Sequence, residues 1–192
     1  MRAQLSSLLS RLGLDRRGVA AVEFAFTVPV LLIIYLAGFE ISQAMATYRK
    51  VSDTTVELAK VAAQYTTMAP LDVTSVMNAS SQIMAPYPTQ NLGIVVSEIS
   101  VDANNNATVT WSQASAGATQ LCAGTAVTLP AGLSPPVPPP ASPAKSFILV
   151  STTYRYVPVI GAGFIGPIPM TDQIYMVPRA SSSIPCTECT AC

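Results

Sequence analysis

The hydrophobic pattern changes character three times along the chain. From Val19 to Phe39 the residues read VAAVEFAFTVPVLLIIYLAGF, almost unbroken in apolarity, with Glu23 as the only charge. A bilayer span needs about 20 such residues, so the pattern predicts a transmembrane helix over 19–40. Glu23 lies one turn into the segment, where interfacial placement lowers the cost of a charge. Pro29 would break a helix in water. In lipid it is tolerated as a kink, because unravelled backbone would have no partners there.

Beyond the run, Met45, Tyr48, Val51, Thr55, Leu58, Val61, Ala62 and Tyr65 recur at helical spacing, with Arg49, Lys50, Asp53, Glu57 and Lys60 between them. This predicts an amphipathic continuation over 41–68, ending near Gln64. Pairs three or four residues apart, such as Glu57 and Lys60, add a small surface stabilisation. A helix from Val19 to Gln64 would be about 70 Å long at 1.5 Å per residue, which suits a packing element better than a bare anchor.

The third region, 69–192, changes period again. Leu71, Val73, Val76, Met77 and Ile83 predict a short helix stopped by Pro86 and Pro88. Gly93–Val101 and Ala107–Gln113 read as strands joined by the turn residues of Asp102–Asn106. Phe147–Val157 is a β-branched and aromatic strand, and a last strand begins at Ile174. Trp111, Tyr154 and Tyr156 read as core or sheet-face residues. The expected class is α+β: a long N-terminal transmembrane helix running into an amphipathic helix, then a small antiparallel sheet of about four strands. A Pro-rich loop, 114–146, interrupts the sheet. Its run Pro135–Pro140 reads as a stiff surface excursion, with a ligand for a proline-binding groove as the alternative. Gly161–Met170 is apolar yet full of breakers, and reads as a partner-facing or membrane-surface loop or as a packed connection.

Charge sets the orientation. Arg2, Arg11, Arg16 and Arg17 precede the apolar run, opposed only by Asp15. The positive-inside rule puts the basic leader 1–18 in the cytoplasm and everything after the helix on the other side. The alternative is a signal peptide cleaved near Ala44-Met45-Ala46, leaving a periplasmic protein. The apolar run exceeds the usual length of a signal's hydrophobic region, and Glu23 is out of place in one.

Composition narrows the chemistry. Only 10% of residues are charged and net charge is zero, so no basic stripe suggests a nucleic-acid partner. Histidine is absent, which removes Ser-His-Asp and Cys-His hydrolase readings. No enzyme activity, cofactor or metal is expected. The four cysteines are Cys122, Cys186, Cys189 and Cys192, the last three forming a Cys-rich tail (186–192). Outside the cytoplasm an even number suggests disulfides. One pattern ties Cys122 to a tail cysteine and joins the other two locally. A four-thiolate zinc site is the rival.

The segment Arg16-Arg17-Gly18-Val19-Ala20-Ala21-Val22-Glu23-Phe24 resembles a type IV prepilin processing site, and more closely the N-termini of TadE-like pseudopilins of tight-adherence (Flp/type IVb) pili. Tyr154–Pro158 and Ile174–Ser181 more weakly resemble that family's closing strands. The resemblance implies cleavage between Gly18 and Val19 by a prepilin peptidase that recognises Arg16 and Arg17. Glu23 then becomes the fifth residue, beside Phe24, available to neutralise the new amino terminus on Val19. It implies a minor pilin in the bacterial inner membrane, with other pilins and the pilus assembly platform as partners and its outer domain in the periplasm or the pilus. The alternative is a single-pass envelope structural protein that uses the helix only as an anchor.

Overall fold

The computed structural model describes residues 17–102, 104–133 and 145–189. Arg16, Cys192 and the run Pro135–Pro140 lie outside them. Contacts divide the chain into two units, one ending at Gln43 and one beginning at Ala44.

Helix α1 spans Arg17–Ala62. In the first unit it contributes residues 17–43, whose apolar side chains are exposed. The helix continues through Pro29, whose missing N–H leaves the carbonyl of Ala25 without its usual donor. Its second part supplies the core residues Val51, Leu58, Ala59 and Ala62, spaced as one helical stripe. Glu57 and Lys60 pair at 2.7 Å. The helix closes at Ala62 with short-range bonds from Gln64 N to Val61 O and from Tyr65 N to Ala62 O. These satisfy terminal carbonyls.

Helix α2, Pro70–Met84, begins with Pro at its first turn, where no N–H is needed. Asp72 reaches back to accept from the Ala69 N–H at 2.8 Å, the half of a capping box that Ala69 itself cannot reciprocate. Val73, Val76, Met77, Ser80 and Met84 are buried. Leu71, expected on this face, is instead 79% exposed, because at 3.6 residues per turn it points away from the stripe of Val73, Val76 and Met77.

A short 3-10 turn (Thr89–Asn91) leads into β1 (Leu92–Val101), β2 (Ala107–Ala114), β3 (Lys145–Tyr156) and β4 (Ile168–Met176). All pairs are antiparallel, in spatial order β2-β1-β3-β4. The fourth strand starts six residues earlier than the expected Ile174, and a helical turn, α3 (Ala162–Ile165), precedes it. Pro169 sits in this strand because β4 lies at the end of the sheet order, where one side of the backbone owes no ladder bond.

The two sheet faces build separate cores. Leu92, Ile94, Val96, Trp111, Ile148, Val150, Tyr154 and Tyr156 pack with α1 and α2 residues. On the opposite face Ile99, Val101, Val109, Phe147 and Leu149 are covered by Leu121, Val127, Leu129 and Leu133. The described part of the Pro-rich segment is therefore a lid on the sheet. Its first residues approach so closely that a Cβ on Gly93 would stand 3.2 Å from that of Ala118.

Polar contacts fix the layers. Thr55 of α1 donates to the Val51 carbonyl at 2.9 Å, so its oxygen accepts from Thr152 of β3, 2.5 Å away. Both threonines are buried. Thr55→Val should destabilise by about 1–3 kcal/mol, since it strands the Thr152 hydroxyl, and adding Thr152→Val should restore most of the loss. Denaturant midpoints of the single and double variants check this.

At the β1–β2 turn Asp102 accepts from the side chain of Asn106 and from the backbone N–H groups of Asn104 and Asn106. The Asn106 side chain first, then the backbone donors, hold its carboxyl below the usual 3.8. A depressed folded value stabilises the fold above pH 3.8 and stops doing so as pH falls through that lower value. Amide exchange at Asn106 should therefore accelerate only in the acid range below 3.8, and Asp102→Asn should remove that pH step.

Candidate functional site

The residues singled out by sequence fall into two places. The first is the exposed part of α1. Gly18 stands inside the first described turn of the helix, which is described from Arg17 onward. A Cβ at Gly18 would meet nothing within 4 Å. Val19, Val22, Phe24, Phe26, Leu31, Ile33 and Tyr35 are all more than half exposed, Phe24 at 69%. Glu23 is exposed among them. Its backbone carbonyl accepts from the Thr27 hydroxyl at 2.7 Å, a back-bond that keeps the threonine compatible with an apolar surround.

The helix is long and apolar enough to cross a membrane, and none of its most apolar window is buried. A water-soluble helix of this composition would be covered, because contiguous exposed apolar surface beyond a few hundred Å² is rare on soluble monomers.

The second place is the C-terminal segment. Cys186 and Cys189 form a disulfide, Cα–Cα 5.4 Å, the local pairing expected. Cys122 is also disulfide-bonded. Cysteines joined this way have no thiolate to offer zinc.

Sequence reasoning missed what seats this segment. Glu98 of β1, only 2% exposed, accepts from Ser146 Oγ and from the Ile184 N–H at 2.8 Å. Trp111 lies opposite Glu98 on β2 and donates its indole N–H to the Ile184 carbonyl at 2.8 Å. Both polar groups of one tail residue are thus held by two adjacent strands. Met68 N bonds to Pro185 O and Arg179 N to Ala63 O, so the same segment ties the end of α1 to the sheet. The only sequence signal was a glutamate in phase with Ile94 and Val96.

No three His, Cys, Asp or Glu side chains converge among the described residues. A groove of about 500 Å³ on the lid side is lined by Gly93, Ala118, Ser151, Thr153 and Arg155 among others, with no nucleophile–base pair in it. Burial, and secondarily Tyr87, raises the Tyr154 phenol above 10.0, and burial raises Tyr175. Both shifts reflect the core and not a reacting group.

Residues 18–60 match the family model of the TadE-like protein family. The match begins at Gly18, covers the exposed apolar helix and reaches into the second unit. The likeness at Tyr154–Pro158 and Ile174–Ser181 lies outside it. No curated protein and no solved structure matches the chain.

Proposed function

We propose that this chain is a minor pilin or pseudopilin that is held in the inner membrane by α1 and supports assembly of a tight-adherence pilus. The observation that carries the reading is the coincidence of the TadE-like match with the exposed apolar helix. The protein does its work by packing, and performs no bond chemistry. Before assembly the apolar face of α1 is solvated by lipid. During assembly it exchanges lipid for the helices of other pilins, a swap driven by packing and not by further dehydration.

In this reading a prepilin peptidase recognises Arg16 and Arg17 and cuts between Gly18 and Val19. The exposed Glu23 then faces the new ammonium of Val19 on the same or a neighbouring helix, and Phe24 packs beside it. A charge pair is the cheapest way to keep an amino terminus in an apolar bundle. Residues after the helix lie in the periplasm or on the pilus. The Cys186–Cys189 disulfide supports this orientation, since disulfides persist in oxidising compartments.

Two measurements test the proposal. N-terminal sequencing of the protein from a host that has the peptidase should give Val19; a chain still beginning at Met1 removes the processing step. A deletion strain should lose or shorten its pili. Normal pili in that strain, with the protein left in the membrane after shearing, would favour the envelope-anchor alternative.

A further inference from the structure

The connection between β3 and β4 carries a run of exposed apolar residues, and the proposed function leaves it unused. From Tyr156 to Thr171 the chain carries no charge. Val157, Val159, Ile160, Ile165 and Ile168 are all substantially exposed, Val159 at 76% and Ile165 at 65%. Gly161 and Gly166 take positive φ, 81° and 70°, on either side of α3, which fixes the connection as a compact knob.

Its place in the fold is informative. Tyr156 pairs with Ile168, and Tyr154 with both Leu92 and Met170, so the knob caps one end of the sheet. Met170 shares a cleft with Ala44, Met45, Tyr48 and Arg49, the residues at which α1 enters this unit shortly after the apolar run Val19–Phe39. The turn at Asp102–Asn106 is at the other end. Arg155 opens the knob and is exposed, as is Arg49 in the cleft. Apolar side chains flanked by two arginines and a tyrosine are the composition of a surface that enters the headgroup layer.

We infer that the Val157–Ile168 knob is a second membrane contact, seated about 5–10 Å into the headgroup–acyl boundary of an anionic phospholipid surface. Arg49 and Arg155 complement the lipid phosphates. The inference rests on the anchor reading of α1. Drawing the helix into a filament would release this contact.

Full-length Ile165→Trp and Val159→Trp chains, with Asn104→Trp at the opposite end as control, are reconstituted in vesicles of phosphatidylcholine and phosphatidylglycerol. Part of the lipid is brominated near the headgroup end of its acyl chains. Trp111, buried and common to all, is subtracted using the unsubstituted chain. The knob tryptophans should lose most of their emission to the bromolipid, and Asn104→Trp should lose little. Equal, weak quenching at all three sites in chains that float with the vesicles after alkaline extraction overturns the knob alone. Knob emission that is blue-shifted but unquenched assigns it to a second copy and also overturns it. A chain that fails to float overturns the anchor reading and the inference with it.

Discussion

Trp111→Ala should destabilise the outer unit by about 3–5 kcal/mol, the range for truncating a large buried aromatic. The indole is 3% exposed, and its removal opens a cavity between β2 and the tail. It also orphans the Ile184 carbonyl, whose donor it is. Trp111→Phe keeps most of the ring but not the N–H, and should cost about 1–3 kcal/mol, the penalty of an unsatisfied buried acceptor. Against a total stability of about 5–15 kcal/mol, the alanine variant would lose a large fraction of its folded population margin. Denaturant midpoints of the full chain in detergent give the two costs. Amide exchange at Ile184 locates them, since its N–H is held by Glu98 and should lose protection when the carbonyl side of the clamp is cut. Equal costs for Ala and Phe would mean that the ring contributes only its hydrogen bond.

That clamp also shows where local sequence stops being informative. Helices α1 and α2 and three of the four strands follow from the sequence pattern, because each buries one face and its residue spacing declares which. Glu98 obeys the same alternation as Ile94 and Val96, yet a charged residue in phase with a core face looks like an exception until its partner is known. The partner N–H belongs to Ile184, 86 positions away, and no local pattern encodes that. The start of β4 was hidden for a different reason. Pro167 and Pro169 read as breakers, and only the place of the strand at the end of the sheet order makes them permissible. The lid residues Leu121, Val127, Leu129 and Leu133 have no regular period, so they did not announce that they cover a sheet face. By contrast the apolar run Val19–Phe39 of α1 was legible. Its side chains stay exposed among the described residues, and the family match and the proposed function both fall on it.

The largest effect on that helix should come from a single charge at its centre. Leu31→Arg places a guanidinium near the middle of the apolar run, where Leu31 is exposed and, in the anchor reading, faces hydrocarbon. Replacing leucine with arginine there should shift apparent insertion by about 3 kcal/mol on the translocon scale, roughly a hundredfold in the inserted-to-uninserted ratio at 1.36 kcal/mol per decade. Ile41→Arg, at the end of the run and equally exposed, should cost far less, because the side chain reaches the headgroup layer by extending along the helix. The fraction of each variant resistant to alkaline extraction reads the difference. Position is what separates the models. A helix that merely lies on a surface or packs against soluble partners would respond to the two substitutions alike, because both sites would border water. A helix that spans must respond steeply to depth. Glu23 already obeys that rule: the one native charge in the run stands near its start, where the cost of a charge is lower, and in a cleaved chain it would stand beside the new ammonium of Val19.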